Sequence, residues 1–169
     1  DITAGKFRDK GVPIDNLCNY DSAKEYIIQV LDAKTMIHST LLFATAKSML
    51  KVMDGDLLNA SKRTVQATKL SEDELVAVIV ADWSEESEDK VVLQTKDGVF
   101  LKFQYAEIPK KKKSALGVRG MKLSKDDLIT NVYVMDAQNI SSIMYKEKEL
   151  EFNRLKLSKR DTKGTKVRR

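Results

Sequence analysis

VVLQTKDGVFLKF, Val91 to Phe103, is two short runs of β-branched, aromatic and leucine residues on either side of Lys-Asp-Gly. Asp-Gly between apolar runs is a strong hairpin signal, because glycine reaches the positive φ that tight hairpin turns need. The stretch therefore predicts a β-hairpin. LLFATAKSMLKV (Leu41 to Val52) and SSIMYKEKELEF (Ser141 to Phe152) have the same construction. A lone hairpin is marginal in water, so three of them predict units that bury apolar faces against one another.

The flanks repeat as well. After the first two hairpins come SEDELVAVIV (Ser71 to Val80) and SKDDLITNVYV (Ser124 to Val134), each an acidic turn followed by an apolar strand-like run. The acidic pair Asp126 and Asp127 is matched to Asp73 and Glu74, and its recurrence argues for turn chemistry rather than catalysis. A further motif recurs in RDKGVPI (Arg8 to Ile14), RTVQATKL (Arg63 to Leu70), LGVRGMKL (Leu116 to Leu123) and RDTKGTKV (Arg160 to Val167). Aligned on a small residue, these place Gly11, Ala67, Gly120 and Gly164 in one column and Ile14, Leu70, Leu123 and Val167 in another. The apolar column is expected to be buried, and its intervals of 56, 53 and 44 residues give a period near fifty. About four strands per period is the signature of an all-β, propeller-like array of blades. SAKEYIIQVL (Ser22 to Leu31) starts like a helix, yet IIQV falls where the later repeats have LVAVIV and LITNVYV, so a strand is expected. One short helical turn is expected near DGDLLNASKR, Asp54 to Arg63.

The chain has 169 residues, of which 42% are hydrophobic, enough to bury a real core. A single cysteine, Cys18, excludes an intrachain disulfide framework and a cysteine zinc cluster, and fits a reducing, cytoplasmic compartment. No apolar run reaches the ~18 residues of a membrane span, so no membrane partner is expected. DITAGKFRDK is neither a signal nor a transit peptide, and its start without methionine suggests a piece of a longer polypeptide. The net charge of +5 hides an asymmetry: residues 1–100 carry 12 Lys and Arg against 17 Asp and Glu, whereas residues 101–169 carry 18 against 8. A basic C-terminal part favours polyanions, although a charge run can equally be a solvated face.

LQTKDGVFLKF, the basic IPKKKKSALGVRGMKL, SKDDLITNVYVMD and the opening KGVPIDNL, together and in this order, resemble the C-terminal DNA-wrapping domain of the bacterial type IIA topoisomerase A subunits, the gyrase A and topoisomerase IV A family. The resemblance covers essentially the whole chain and is densest over residues 75–136. It implies a β-pinwheel, a propeller-like ring or spiral in which neighbouring blades exchange strands. About three blades are then expected: residues 1–20 ending a preceding blade, 21–80 and 81–136 as blades, and 137–169 as a partial last blade and tail. The basic glycine-rich box of the gyrase branch, of the kind QRRGGKG, does not occur in the chain. The implied partners are double-stranded DNA, the rest of the A subunit, and through it the ATPase B subunit.

No catalytic residue, metal site or cofactor is expected. Strand cleavage in that family needs a tyrosine in an Arg-Tyr-Thr context. None of Tyr20, Tyr26, Tyr105, Tyr133 or Tyr145 follows an arginine, so each reads as a packing residue. His38 is the only histidine and reads as structural, Cys18 as a small, partly buried hydrophobe, and Trp83 as packing. The consecutive carboxylates of DWSEESEDK, Asp82 to Lys90, offer no ligand geometry and read as a solvated hairpin loop.

The cations do form a pattern. Lys110, Lys111, Lys112 and Lys113 sit on the connection between a hairpin and the next strand, and the matching connections hold Lys62 with Arg63 and Lys159 with Arg160. Lys10, Arg119 and Lys163 precede the small residue of the repeat, and Lys122 follows it closely. Cations at equivalent loops of successive blades make a track, which would hold duplex DNA through phosphates and bend it without base readout. The chain is not expected to be an enzyme by itself. The alternatives are a propeller-like protein-interaction module, or a spacer with too few blades to wrap DNA.

Overall fold

The turn after Thr95 closes a hairpin: Gly98 takes φ +75°, and its N–H donates to the Thr95 carbonyl. In the computed structural model, which describes residues 4–62, 64–136 and 141–168, this hairpin is β4 (Lys90–Thr95) with β5 (Val99–Gln104). The two other expected hairpins are also present, β1 (Thr40–Thr45) with β2 (Met49–Asp54) and β8 (Ser142–Tyr145) with β9 (Lys148–Glu151). The runs after the acidic turns form β3 (Leu75–Val80) and β7 (Ile129–Met135), which pair antiparallel with β1 and β4. Two short strands complete the set, β6 (Val118–Arg119) and β10 (Thr165–Lys166).

The strand orders are β3-β1-β2-β6, β10-β5-β4-β7 and the pair β8-β9. The chain therefore leaves the second hairpin, returns to close the first sheet with β6, and only then adds β7 to the second sheet. It repeats the move after the third hairpin, when β10 closes the second sheet. This is the strand exchange of a β-pinwheel, an all-β architecture. The described helices are one short α-helix, α1 (Ala33–Ile37), and four 3-10 turns, one of them Gly55–Leu58 where a helical turn is expected. No helix among the described residues is long and apolar enough to cross a membrane.

The strands of the first two hairpins are buried on both faces, so they read as largely continuous apolar runs rather than strict alternation. Leu42, Ala44, Leu50 and Val52 of the first sheet share one core with Val91, Leu93, Leu101 and Phe103 of the second. The opposite face of the second sheet, Val92 and Phe100, packs on Leu150 of the third and on Phe152 just after it. The outer face of the first sheet, Leu41, Phe43 and Met53, is covered by Leu31, Met36, Leu58 and Ala67. Each sheet thus obtains its core from its neighbours.

The acidic turns clamp the hairpin turns. Asp73 Oδ1 accepts from the backbone N–H of Lys47 and Glu74, and the buried Asp127 Oδ1 accepts from those of Asp97 and Leu128. Turn chemistry is therefore the role of these carboxylates, but Asp127 corresponds to Asp73, one place from the alignment read in the sequence.

Three other expectations are corrected. Residues 22–31 form no strand, and Ile27 and Val30 are exposed. Strands of the β3 and β7 type pair with the first strand of the hairpin before them, and the described residues 4–21 form no hairpin to receive IIQV. The column Ile14, Leu70, Leu123 and Val167 is only half-buried. Its last repeat is also displaced by three residues: Leu50 pairs with Val118 and the equivalent Phe100 with Thr165, so Gly164 matches Gly117 rather than Gly120. The reason is steric. A Cβ on Gly117 would lie 2.3 Å from the Leu50 carbonyl oxygen, and one on Gly164 2.6 Å from that of Phe100, so the close backbone approach sets the register. Finally, Asp82 to Lys90 joins two sheets instead of closing one hairpin.

Candidate nucleic-acid interface

The basic segment is laid along β2 before it turns. Val52 N–H donates to the Pro109 carbonyl, and Lys111 N–H donates to the Val52 carbonyl at 2.7 Å, giving a parallel bridge between Val52 and Lys110. A turn closed by the Ala115 N–H to the Lys112 carbonyl then leads into β6. The second crossover repeats this on β5, where Lys102 bridges Leu157 and Ser158 N–H donates to the Lys102 carbonyl. The registers make Lys112 equivalent to Lys159 and Lys113 to Arg160.

The side chains of the run differ. Lys110 Nζ lies 2.7 Å from Asp54 Oδ1 and 5.4 Å from the centre of the Trp83 ring. Lys113 is half-buried and reaches toward the Leu57 carbonyl at 3.4 Å. Lys111 and Lys112 are exposed, and so are Lys10, Lys62, Lys122, Lys159 and Lys163. Arg63 lies outside the described residues.

The two other arginines of the expected track, Arg119 and Arg160, hold the crossovers to each other. Arg119 donates to both Asp161 oxygens, Nε to Oδ1 at 2.5 Å and Nη2 to Oδ2 at 3.1 Å. Arg160 donates from Nε to the Glu107 carbonyl and from Nη1 to the Arg119 carbonyl at 2.6 Å. Asp161 N–H to the Gly120 carbonyl and Lys122 N–H to the Thr162 carbonyl complete the seam. The partner of Arg119 comes from the next crossover, not from the nearby Asp126 or Asp127. Sequence distance hides this pair, because 42 residues separate its members.

The hydrogen bond from Arg119 holds the Asp161 carboxyl below its ordinary value, and Asp161 in turn raises the Arg119 guanidinium. A lowered carboxyl adds stability above the ordinary aspartate value of 3.8 and loses it as pH falls through the folded value. Arg119→Ala is therefore expected to lower the melting temperature at neutral pH, and the gap from the unaltered chain should close in acid below that range. A gap that persists undiminished in acid would remove the ion pair as its cause.

Two buried lysines escape sequence reasoning, Lys51 at 1% exposure and Lys102 at 6%. Lys102 Nζ donates to the Phe152 carbonyl at 2.8 Å. Their signal was a lysine in mid-strand between residues that both pack inward. Burial lowers both ammonium pKa values.

Nothing among the described residues brings three or more His, Cys, Asp or Glu together as metal ligands. Tyr105 is fully buried, and burial with the nearby Asp89 and Asp82 carboxylates pushes its phenol far up, the opposite of an activated nucleophile. Tyr133 bonds Gln94, and Tyr145 meets Phe100 edge to face, so these pack as expected. Tyr26 is 63% exposed and does not. His38 is exposed at the C-cap of α1, Cys18 is half-buried, and Trp83 packs against the core shared by the first two sheets.

Exchanged strands and a basic crossover on each four-stranded sheet define an all-β pinwheel module. The model of the DNA gyrase C-terminal domain family, a β-propeller, matches residues 39–82 and 89–134, and the chain belongs to that family. The DNA gyrase A subunit of Chlamydia pneumoniae is 31% identical over 131 residues, 75% of this chain and 15% of the relative. That of Chlamydia muridarum is 31% identical over 146 residues, 82% of this chain and 17% of the relative. Among solved structures, the C-terminal domain of DNA topoisomerase IV superposes with a TM-score of 0.82 at 21% identity, over 96% of this chain and 51% of that one. The DNA gyrase A C-terminal domain gives 0.70 at 22%, over 94% and 52%. The E. coli ParC C-terminal domain gives 0.72 at 17%, over 95% and 67%. The chain thus spans about half the length of the first two domains.

Proposed function

We propose that the chain is a non-catalytic module that binds and bends duplex DNA without sequence preference and presents it to the cleavage core of a type IIA topoisomerase A subunit. Its other partners would be the rest of that subunit, and through it the ATPase B subunit, in the cytoplasm. The observation that carries the reading is the equivalence of Lys112 and Lys159 on successive crossovers, both exposed. Repetition of a cation at one place on a stacked array suits a polymer of phosphates, and family membership supplies the class of polymer. Lys10, Lys62, Arg63, Lys110, Lys111, Lys112, Lys113, Lys122, Lys159 and Lys163 are the cations from which about five phosphate contacts would be drawn. Arg119 and Arg160 would act chiefly by holding the angle between neighbouring crossovers, and hence the curvature offered to DNA.

Titrating duplexes of different sequence at several salt concentrations tests this. With about five phosphates neutralised, log K should fall with log salt at a slope near −4.5. A salt-independent affinity, or a strong preference for one sequence at equal shape, would contradict it. Absence of binding would favour a spacer or protein-interaction module.

A further inference from the structure

Lys51 lies in the middle of β2 between Leu50 and Val52, both fully buried, and is itself 1% exposed. An ammonium in such a place must find a counter-charge or several acceptors, since burying an unpaired charge is costly. No carboxylate lies within ion-pair distance among the described residues. Instead Nζ faces four backbone carbonyls: Lys113 at 2.8 Å, Ala67 at 3.0 Å, Ala115 at 3.2 Å and Lys112 at 3.4 Å. The Phe43 ring, 5.5 Å away at its centre, covers another side.

Three of those carbonyls belong to the turn that ends the lysine run. Four consecutive lysines repel one another, and the surface contacts that oppose their spreading are the ion pair of Lys110 with Asp54 and the turn's own backbone bonds. Here the turn's carbonyls are drawn inward by a buried cation, while Lys111 and Lys112 remain exposed. The turn cannot lift away without stranding that ammonium. The second crossover lacks the device: the register of β5 puts Leu101 where β2 has Lys51, and Arg160 does the anchoring from outside.

Resting on the DNA-binding reading above, we propose that Lys51 is a positioning residue that never touches DNA but holds the Lys110 to Lys113 turn in the shape that meets phosphates.

Lys51→Met in the full chain removes the charge at similar volume, and Lys102→Met is the matched control for loss of a buried lysine. Trypsin nicking within the run should accelerate by at least about tenfold in Lys51→Met and not in the control. The slope of log K against log salt should shrink by about 1 to 2, as when one or two phosphates are no longer neutralised, again only in Lys51→Met. Unchanged nicking, or equal changes in both variants, would overturn the proposal. If the unaltered chain fails to bind DNA, the DNA reading falls, while nicking still judges the pin. Should Lys51→Met not fold, NMR of the unaltered chain decides: the Lys51 ammonium protons should exchange slowly and show contacts to the Lys112 to Ala115 turn. Fast exchange with water would overturn the proposal.

Discussion

Lys110 to Lys113, replaced together by alanine, are expected to weaken duplex binding uniformly across sequences and to flatten its salt dependence. Each phosphate left without its cation takes about 0.9 from the slope of log K against log salt, so four equal contributors would take about 3.6. The geometry predicts unequal shares. Lys110 is already paired with Asp54, and Lys113 is turned toward the Leu57 carbonyl, whereas the side chains of Lys111 and Lys112 have no ion pair or hydrogen bond among the described residues. Replacing only Lys111 and Lys112 should therefore remove about 1.8 of the slope, and the quadruple variant little more than that. Stability should change little, since surface substitutions stay within about ±0.5 kcal/mol and an exposed ion pair such as Lys110 with Asp54 adds at most about 1 kcal/mol. Fluorescence anisotropy at several salt concentrations, with a melting curve for each variant, checks both halves. An unchanged slope in the quadruple variant would place the phosphate-binding cations elsewhere.

Phe103→Ala should have the largest effect on stability. Phe103 is fully buried in the core between the first two sheets, and truncating a buried phenylalanine costs about 3–5 kcal/mol. At about 2–4 °C per kcal/mol for a chain of this size, the melting temperature should fall by roughly 6–20 °C. Leu128→Ala, at a residue 40% exposed, is the control and should fall within about ±0.5 kcal/mol. Because β6 belongs to the first sheet while its chain neighbours lie in the second, both sheets should melt in one transition. A first sheet that melts independently in Phe103→Ala would show that the shared core does not couple them.

The elements legible in the sequence are those whose causes are local. A hairpin is decided by its turn and its two apolar runs, so Val91 to Phe103 and its two counterparts could be read directly. The acidic turns are legible as turns for the same reason, although their alignment is fixed only by the matching backbone N–H groups that Asp73 and Asp127 hold, one residue from the match the sequence suggests. Of the candidate interface, the exposed lysines were legible because charge and exposure usually go together.

The rest depended on contacts between distant segments. Which sheet a two-residue strand joins is invisible in two residues; β6 and β10 are placed by the approach of Gly117 and Gly164 to carbonyls of the previous sheet. IIQV has the composition of a strand but lacks a partner among the described residues, and a strand exists only by pairing. Arg119 and Arg160 had the composition of phosphate contacts, yet each finds its acceptors on a segment about forty or more residues away. Lys51 shows the division most clearly. Its neighbours in sequence predict a strand, and the strand is there. That its ammonium lies inside, gripping the turn that carries the lysine run, follows only from where the fold places four carbonyl oxygens, because a buried charge is tolerated only where tertiary structure supplies its acceptors.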